Sequence, residues 1–263
     1  MTHQARKRFG QNFLQDNSVI NNILAHAHPQ ADEHWVEIGP GLGALTQPLL
    51  GSGVKLDVIE LDRDLVARLQ KQFSGNSNIT IHSADALKFD FNAIAKPDRK
   101  LRVIGNLPYN ISTPLMFHLL ETTSFVEDMH FMLQKEVVDR ICAEPGSKKY
   151  GRLSVMMQYF CETEWLFDVP PESFDPAPKV MSAIVRLAPH EKPPVEITDL
   201  KHFSLLVTQA FSQRRKTIRN ALKNFISEQA IEDLGIDANL RAESISLAEF
   251  ALISQHSQAI QDL

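Results

Sequence analysis

"VEIGPGLGALT", Val36 to Thr46, begins with residues that favour a strand, passes through three glycines and runs into an apolar helical pattern. Gly39, Gly41 and Gly43 let the backbone turn tightly and let a ligand approach where a side chain would block it. A strand, a glycine loop and a helix in that order form the place where nucleotide-type ligands bind in an open α/β sheet. The pattern fits two cofactor classes. Read as G-x-G-x-x-[GA] with Ala44 last, it matches the dinucleotide fingerprint. Glu37, inside the strand, would set a negative charge against a pyrophosphate, whereas a ligand carrying an amino group and a sulfonium would tolerate it.

Working outward, "VKLDVIEL" (54–61), "ITIHSADA" (79–86), "LRVIGN" (101–106) and "MHFMLQ" (129–134) read as further strands, and "DRDLVARLQKQF" as a helix after the second. A helical pattern is expected from Leu42 through Leu50. Strands alternating with helices predict βαβ units and a mostly parallel sheet. "EWLFDV" and "MSAIVRL" lie too close together for a crossover helix and are expected to pair as an antiparallel hairpin at the sheet edge. Glu60 ends the second strand, placed to accept both hydroxyls of a ribose, and Asp85 ends the third, placed to accept from an adenine amino group. Any one of these acids alone is an ordinary solvated carboxylate. Three acids at successive strand ends beside one glycine loop point to a ligand with ribose and adenine, which suits NAD and S-adenosylmethionine alike, and Glu37 favours the latter.

At "APHEKPPVEITD" (188–199) three prolines mark a linker. Beyond it strand signals vanish and Val207, Phe211, Ile218, Leu222 and Phe225 recur at helical spacing. We therefore expect an α/β domain over 1–190 and a small all-helical domain over 191–263. The 263 residues are 43% hydrophobic and 22% charged, an ordinary soluble balance. The start lacks a secretory pattern and no apolar run is long enough to span a bilayer, so a cytoplasmic protein is expected. Cys142 and Cys161 have no metal-site or disulfide spacing. The net charge of −5 conceals a local excess: "QRRKTIRNALK" (213–223) carries five cations and no acid, and "ARKR" (5–8) three more. A polyanion meets the patches rather than the mean.

"NLPY", 106–109, leaves the fourth strand on the same sheet edge. An adenine amino nitrogen is a poor nucleophile because its lone pair is delocalised into the ring. Two acceptors holding its two N–H bonds would draw it towards tetrahedral geometry. The Asn106 carboxamide oxygen and the Leu107 backbone carbonyl are those acceptors. Pro108 stiffens the loop and holds Leu107 extended, and Tyr109 offers a face on which a flipped-out base can stack. His118 and His130 sit in apolar patterns and read as packing residues.

With "RKRFGQNFL" (6–14), "VIELDRDL" (58–65), "NLPYNISTPL" (106–115), "HFMLQKEVVDRI" (130–141), "YGRLSV" (150–155), "FDPAPKVMSAIVRL" (174–187) and "FSQRRKTIRNAL" (211–222) in this order, the chain resembles the rRNA adenine-N6 dimethyltransferases, in particular those of the bacterial small subunit. The resemblance covers nearly the whole chain. It implies a Rossmann-like S-adenosylmethionine-dependent methyltransferase domain that dimethylates two adjacent adenines in a 3′-terminal hairpin loop of small-subunit rRNA. Asn12 and Leu14 would close over the cofactor, and Gly39, with Gly41 in the same loop, would lie against its methionine portion. Glu60 would hold the ribose and Asp85 the adenine. Asn106 would bridge cofactor and target base, and Phe174 would stack on that base opposite Tyr109. Lys179 could meet a phosphate. Arg214, Arg215, Lys216, Arg219 and Lys223, placed on one helix whose Phe211, Ile218 and Leu222 pack inward, would face RNA, with Arg6, Lys7 and Arg8 extending the footprint. The implied partner is the assembling small ribosomal subunit, met by a monomer, with no metal and no membrane.

Three rivals share parts of this pattern. An enzyme acting on a large-subunit rRNA adenine would use the same two pockets. An NAD-dependent oxidoreductase would explain the glycine loop but leave Glu37 and "NLPY" without purpose. A non-catalytic assembly factor would need only the basic surfaces.

Overall fold

In a computed structural model, which describes residues 11–96, 99–108, 111–120 and 125–261, the chain divides into two compact units. Met1–Val138 with Glu164–Pro189 form the first, and Asp139–Thr163 with His190–Leu263 the second.

The first unit begins with β1 (Phe13–Leu14) and α1 (Asn17–Ala27), whose first turn is capped by the Asp16 carboxylate accepting from the N–H groups of Ser18 and Val19. Then follow β2 (His34–Ile38), α2 (Thr46–Gly51), β3 (Lys55–Glu60), α3 (Arg63–Gln72), β4 (Ile79–Ser83), β5 (Leu101–Asn106), α4 (Ser112–Leu120), β6 (Val126–Gln134) and α5 (Lys135–Ile141). After α6 (Arg152–Phe160) the chain returns through β7 (Cys161–Val169), β8 (Phe174–Asp175) and β9 (Ser182–Pro189). Seven strands form one sheet in the order β4-β3-β2-β5-β6-β9-β7. β2 to β6 pair in parallel, as the alternation of strands and helices predicts, while β9 runs antiparallel to β6 and β7 closes that edge. Alternate residues of the central strands, among them Leu56, Val58, Ile104, Met132 and Ile184, share one apolar cluster with Ile20 and Ile23 of α1 and Leu69 of α3.

The helix expected from Leu42 starts only at Thr46. Gly39, Gly41 and Gly43 have φ of 64°, 59° and 88°, left-handed geometry from which a right-handed helix cannot propagate.

The second unit is helical. It holds α6, α7 (Leu200–Ser212), α8 (Ile218–Ala221), α9 (Glu228–Asp233) and α10 (Leu247–Gln261). Phe203, Leu206, Ile218, Leu222 and Phe250 form its interior. Asp139–Thr163 cluster here because α6 packs on α7, with Tyr159 and Phe203 ring centroids 5.8 Å apart. A single division at 190/191 takes no account of that segment.

The basic stretch corrects a second expectation. Instead of lying on one helix, Arg214, Arg215 and Lys216 occupy the turn between α7 and α8, and Lys223 follows α8. Tertiary backbone hydrogen bonds break the helix: Ile218 N–H donates to Leu240 O at 2.6 Å and Arg219 N–H to Ala238 O at 3.2 Å, beside a Thr217–Arg241 bridge. The predicted inward positions Ile218 and Leu222 are nevertheless fully buried.

Candidate active site

β2 lies between β3 and β5, so the chain runs outward to β4 and then returns to the other side of β2. The crevice at the carboxyl ends of β2 and β5 is therefore the topological switch point of the sheet. A cavity of about 370 Å³ opens there. It is lined by the loops after β2, β3, β4 and β5, by residues 11–14, and by Phe174.

The three acids meet in this cavity. Glu37, at 2% exposure, projects from β2 and its Oε2 accepts from the Thr46 hydroxyl at 2.5 Å. Burial drives its pKa up to about 8; the Thr46 hydrogen bond pulls it back and the nearby Glu60 charge adds to the rise. Glu60, at the end of β3, is also raised by burial, but the backbone N–H groups of Asp62, Gly41 and Leu61 hold its carboxylate, the first at 2.8 Å. Asp85 stands half-buried beyond β4, where its Oδ1 accepts from Leu87 N–H at 3.0 Å. Buried carboxylates in an otherwise apolar cavity suit a ligand that brings hydroxyls and positive charge.

Asn106 ends β5 beside the glycine loop, and a Cβ built on Gly39 would lie 3.8 Å from its backbone oxygen. Its side-chain NH2 donates to Asn12 O at 2.9 Å, which commits the amide nitrogen to that neighbour and makes the side-chain oxygen the acceptor for a ligand. Leu107 is buried, with its N–H donating to Met132 O at 3.2 Å. The Pro108 carbonyl is taken by Ile111 N–H at 3.1 Å, which leaves the Leu107 carbonyl as the backbone acceptor that the sequence reading assigns. Tyr109 lies outside the described residues, as do Arg6, Lys7 and Arg8.

Residues 11–16 form a strap across the cavity. β1 pairs antiparallel with β8, Phe13 opposite Asp175 and Leu14 opposite Phe174. Gln15 N–H donates to Ser173 O at 2.9 Å and the Ser173 hydroxyl to Asp16 Oδ2 at 3.1 Å. Asn12, Leu14 and Phe174 are thus brought to one site from opposite ends of the first unit. Gly41 has a use that the sequence does not disclose: a Cβ there would stand 2.9 Å from Phe13 Cδ1, so the strap's aromatic ring, as well as a ligand, needs that space.

Among the described residues, those expected to face RNA are solvent-accessible. Lys179, Arg214, Arg215, Lys216 and Lys223 are exposed, and Arg219 is half-buried. Two of them are engaged within the second unit, Arg214 donating to Lys148 O at 2.7 Å and Arg219 pairing with Glu228. Neither histidine reaches the cavity lining. His118 bonds Phe89 O at 3.0 Å, and His130 is buried on β6, between β5 and β9, with neither ring nitrogen hydrogen-bonded.

Thr46, Phe13, Leu61 and Gly105 are missed by sequence reasoning. Thr46 satisfies Glu37. Leu61, half-exposed, lines the cavity. A Cβ on Gly105 would stand 2.6 Å from Ile38 O, a clash with backbone that no side-chain shift relieves. A glycine inside the strand run "LRVIGN" was the available signal for such a close approach.

The family model described as ribosomal RNA adenine dimethylase matches residues 2–259. Ribosomal RNA small subunit methyltransferase A of Pseudomonas putida is 56% identical over 96% of this chain and 94% of its own. The protein of that name from Methylococcus capsulatus is 56% identical over 97% and 98%. Among solved structures, a dimethyladenosine transferase from Plasmodium falciparum superposes with a TM-score of 0.81 at 25% identity, covering 94% of this chain and 98% of its own. The 23S rRNA methyltransferase ErmE superposes with a TM-score of 0.74 at 26% identity, covering 94% and 100%.

Proposed function

The chain belongs to the ribosomal RNA adenine dimethylase family, and from that membership we propose its substrate and the residues that act on it. It is a methyltransferase that dimethylates adenine in small-subunit rRNA with S-adenosylmethionine as donor. We assign as its targets two adjacent adenines in the 3′-terminal hairpin loop, met in the assembling subunit by a cytoplasmic monomer. The observation that carries the site assignment is Asn106, held by the strap at the switch point with its amide oxygen left as acceptor.

The residues present fit the cofactor. Glu60 would take the ribose hydroxyls, Asp85 the adenine amino group, and Glu37, beneath Gly39, the cationic methionine end. When bound, S-adenosylmethionine supplies a methyl group made electrophilic by its sulfonium. The Asn106 amide oxygen and the Leu107 carbonyl accept the two N–H bonds of the target amino group and aim its lone pair along the line of displacement. Phe174, its ring buried beside Leu14, stacks on the base and fixes its plane. No strong base is required, because the proton leaves to solvent after the carbon–nitrogen bond has formed.

The test is to incubate the protein with methyl-labelled S-adenosylmethionine and small subunits from cells lacking the modification, then digest the rRNA to nucleosides. Label in N6,N6-dimethyladenosine from the 3′ hairpin is the expected result. Label in large-subunit rRNA alone would overturn the target. Asn106→Ala should lower transfer on the order of 100-fold while subunits still bind.

A further inference from the structure

Beyond the cavity, the same sheet edge carries an aromatic surface that the chemistry above does not use. Trp165 on β7 is 47% exposed, and Val180 and Met181, which precede β9, are exposed at 44% and 38%. Lys135 joins these residues into one patch. Its backbone N–H donates to Met181 O at 3.0 Å, its ammonium lies 5.6 Å from the Trp165 ring centroid, and the same ammonium bonds Asp168 at 2.8 Å. The indole N–H of Trp165 donates to Asp168 Oδ1 at 3.1 Å. The ring is therefore held in place while much of it stays open to solvent. Such preorganisation lowers the entropic cost of stacking a flat ligand on it. Asp168 pairs with Lys135 and Glu164 with Arg186 at 3.8 Å, and Lys179 adds an exposed positive charge.

The patch neighbours the base site along β6 and along the segment that joins β8 to β9. Lys135 lies three residues beyond Met132, the partner of Asn106 across β5 and β6, a span of about 10 Å along the strand. Only residues 175–179 separate Phe174, in the cavity wall, from Val180. An RNA strand that places one adenine against Asn106 and Phe174 has this edge within reach of its next nucleotides. A fixed aromatic ring with cations beside it is the arrangement that holds single-stranded nucleic acid without reading its sequence.

We propose that Trp165, positioned by Lys135 and Asp168, is a stacking platform for a nucleotide flanking the target adenine. This rests on the rRNA methyltransferase reading. The test compares Trp165→Leu, which keeps an apolar strand residue without a ring, with Trp165→Phe, which keeps a ring. Both are assayed on unmethylated small subunits. Trp165→Leu should raise the KM for subunits about tenfold, the loss of one base stack, while the KM for S-adenosylmethionine and the Tm stay unchanged. Trp165→Phe should remain within about threefold of the parent. A subunit KM unaltered in Trp165→Leu would overturn the proposal. Equal increases in both variants would also overturn it, since they would indicate a protein contact shaped to the indole. If the parent protein leaves the rRNA unlabelled, the underlying reading fails first and this inference falls with it.

Discussion

Glu37 shows how one residue joins fold to chemistry. It sits on β2 between β3 and β5, where an ionised carboxylate is poorly solvated, and burial lets it hold its proton up to about pH 8. A cationic ligand would favour the carboxylate and expel that proton. We therefore expect S-adenosylmethionine to bind more tightly as pH rises from 6 to 8, with proton release seen by calorimetry in buffers of different ionisation heat. Glu37→Gln should abolish both effects. A flat pH dependence in the parent would contradict this. The acid itself is legible in the sequence because strand, loop and glycine spacing are local features. Its protonation is not, because that depends on the Thr46 hydroxyl and on Glu60 arriving from the next strand.

Among the elements, the strap and the glycine loop are fitted to each other. Gly41→Ala would place a methyl group against Phe13 and force a left-handed backbone on alanine, costing about 1–2 kcal/mol from the backbone alone. Phe13→Ala should weaken cofactor binding by exposing the cavity. In the double variant the steric part should disappear, so a double-mutant cycle on cofactor Kd should show non-additivity, whereas independent effects would simply sum. The contact behind this prediction joins positions 28 residues apart, and no local pattern announces it. The break between α7 and α8 was hidden for a similar reason. The periodicity reports burial correctly at Ile218 and Leu222, with Phe211 half-buried, but the backbone partners Ala238 and Leu240 that interrupt the helix lie about 20 residues further on.

For the molecule as a whole, stability should follow buried groups far from the chemistry. Burial holds the His130 pKa down at about 4, with Asp128 opposing the shift. Below pH 6.5 the unfolded chain takes up a proton that the folded chain refuses. Stability is thus retained above about 6.5 and lost as pH falls towards 4, by up to ~3 kcal/mol. Replacing His130 with Phe should remove that part of the acid sensitivity in denaturation curves between pH 7 and 4. Arg102 makes two hydrogen bonds to Asp128, at 2.8 and 2.9 Å, and stacks 4.4 Å above the Trp35 ring. Arg102→Ala should cost up to about 3–5 kcal/mol by leaving the buried Asp128 with Arg186, at 3.3 Å, as its remaining hydrogen-bonded cation, with the KM for cofactor unchanged. The pairing of β1 with β8 has a consequence for turnover. Because Leu14 pairs with Phe174, any lifting of the strap during cofactor exchange would also free Phe174 from Leu14. Each exchange that lifts the strap therefore loosens the grip on the base, so methylation should be distributive: singly methylated adenine should accumulate early and be chased to the dimethyl form by fresh encounters.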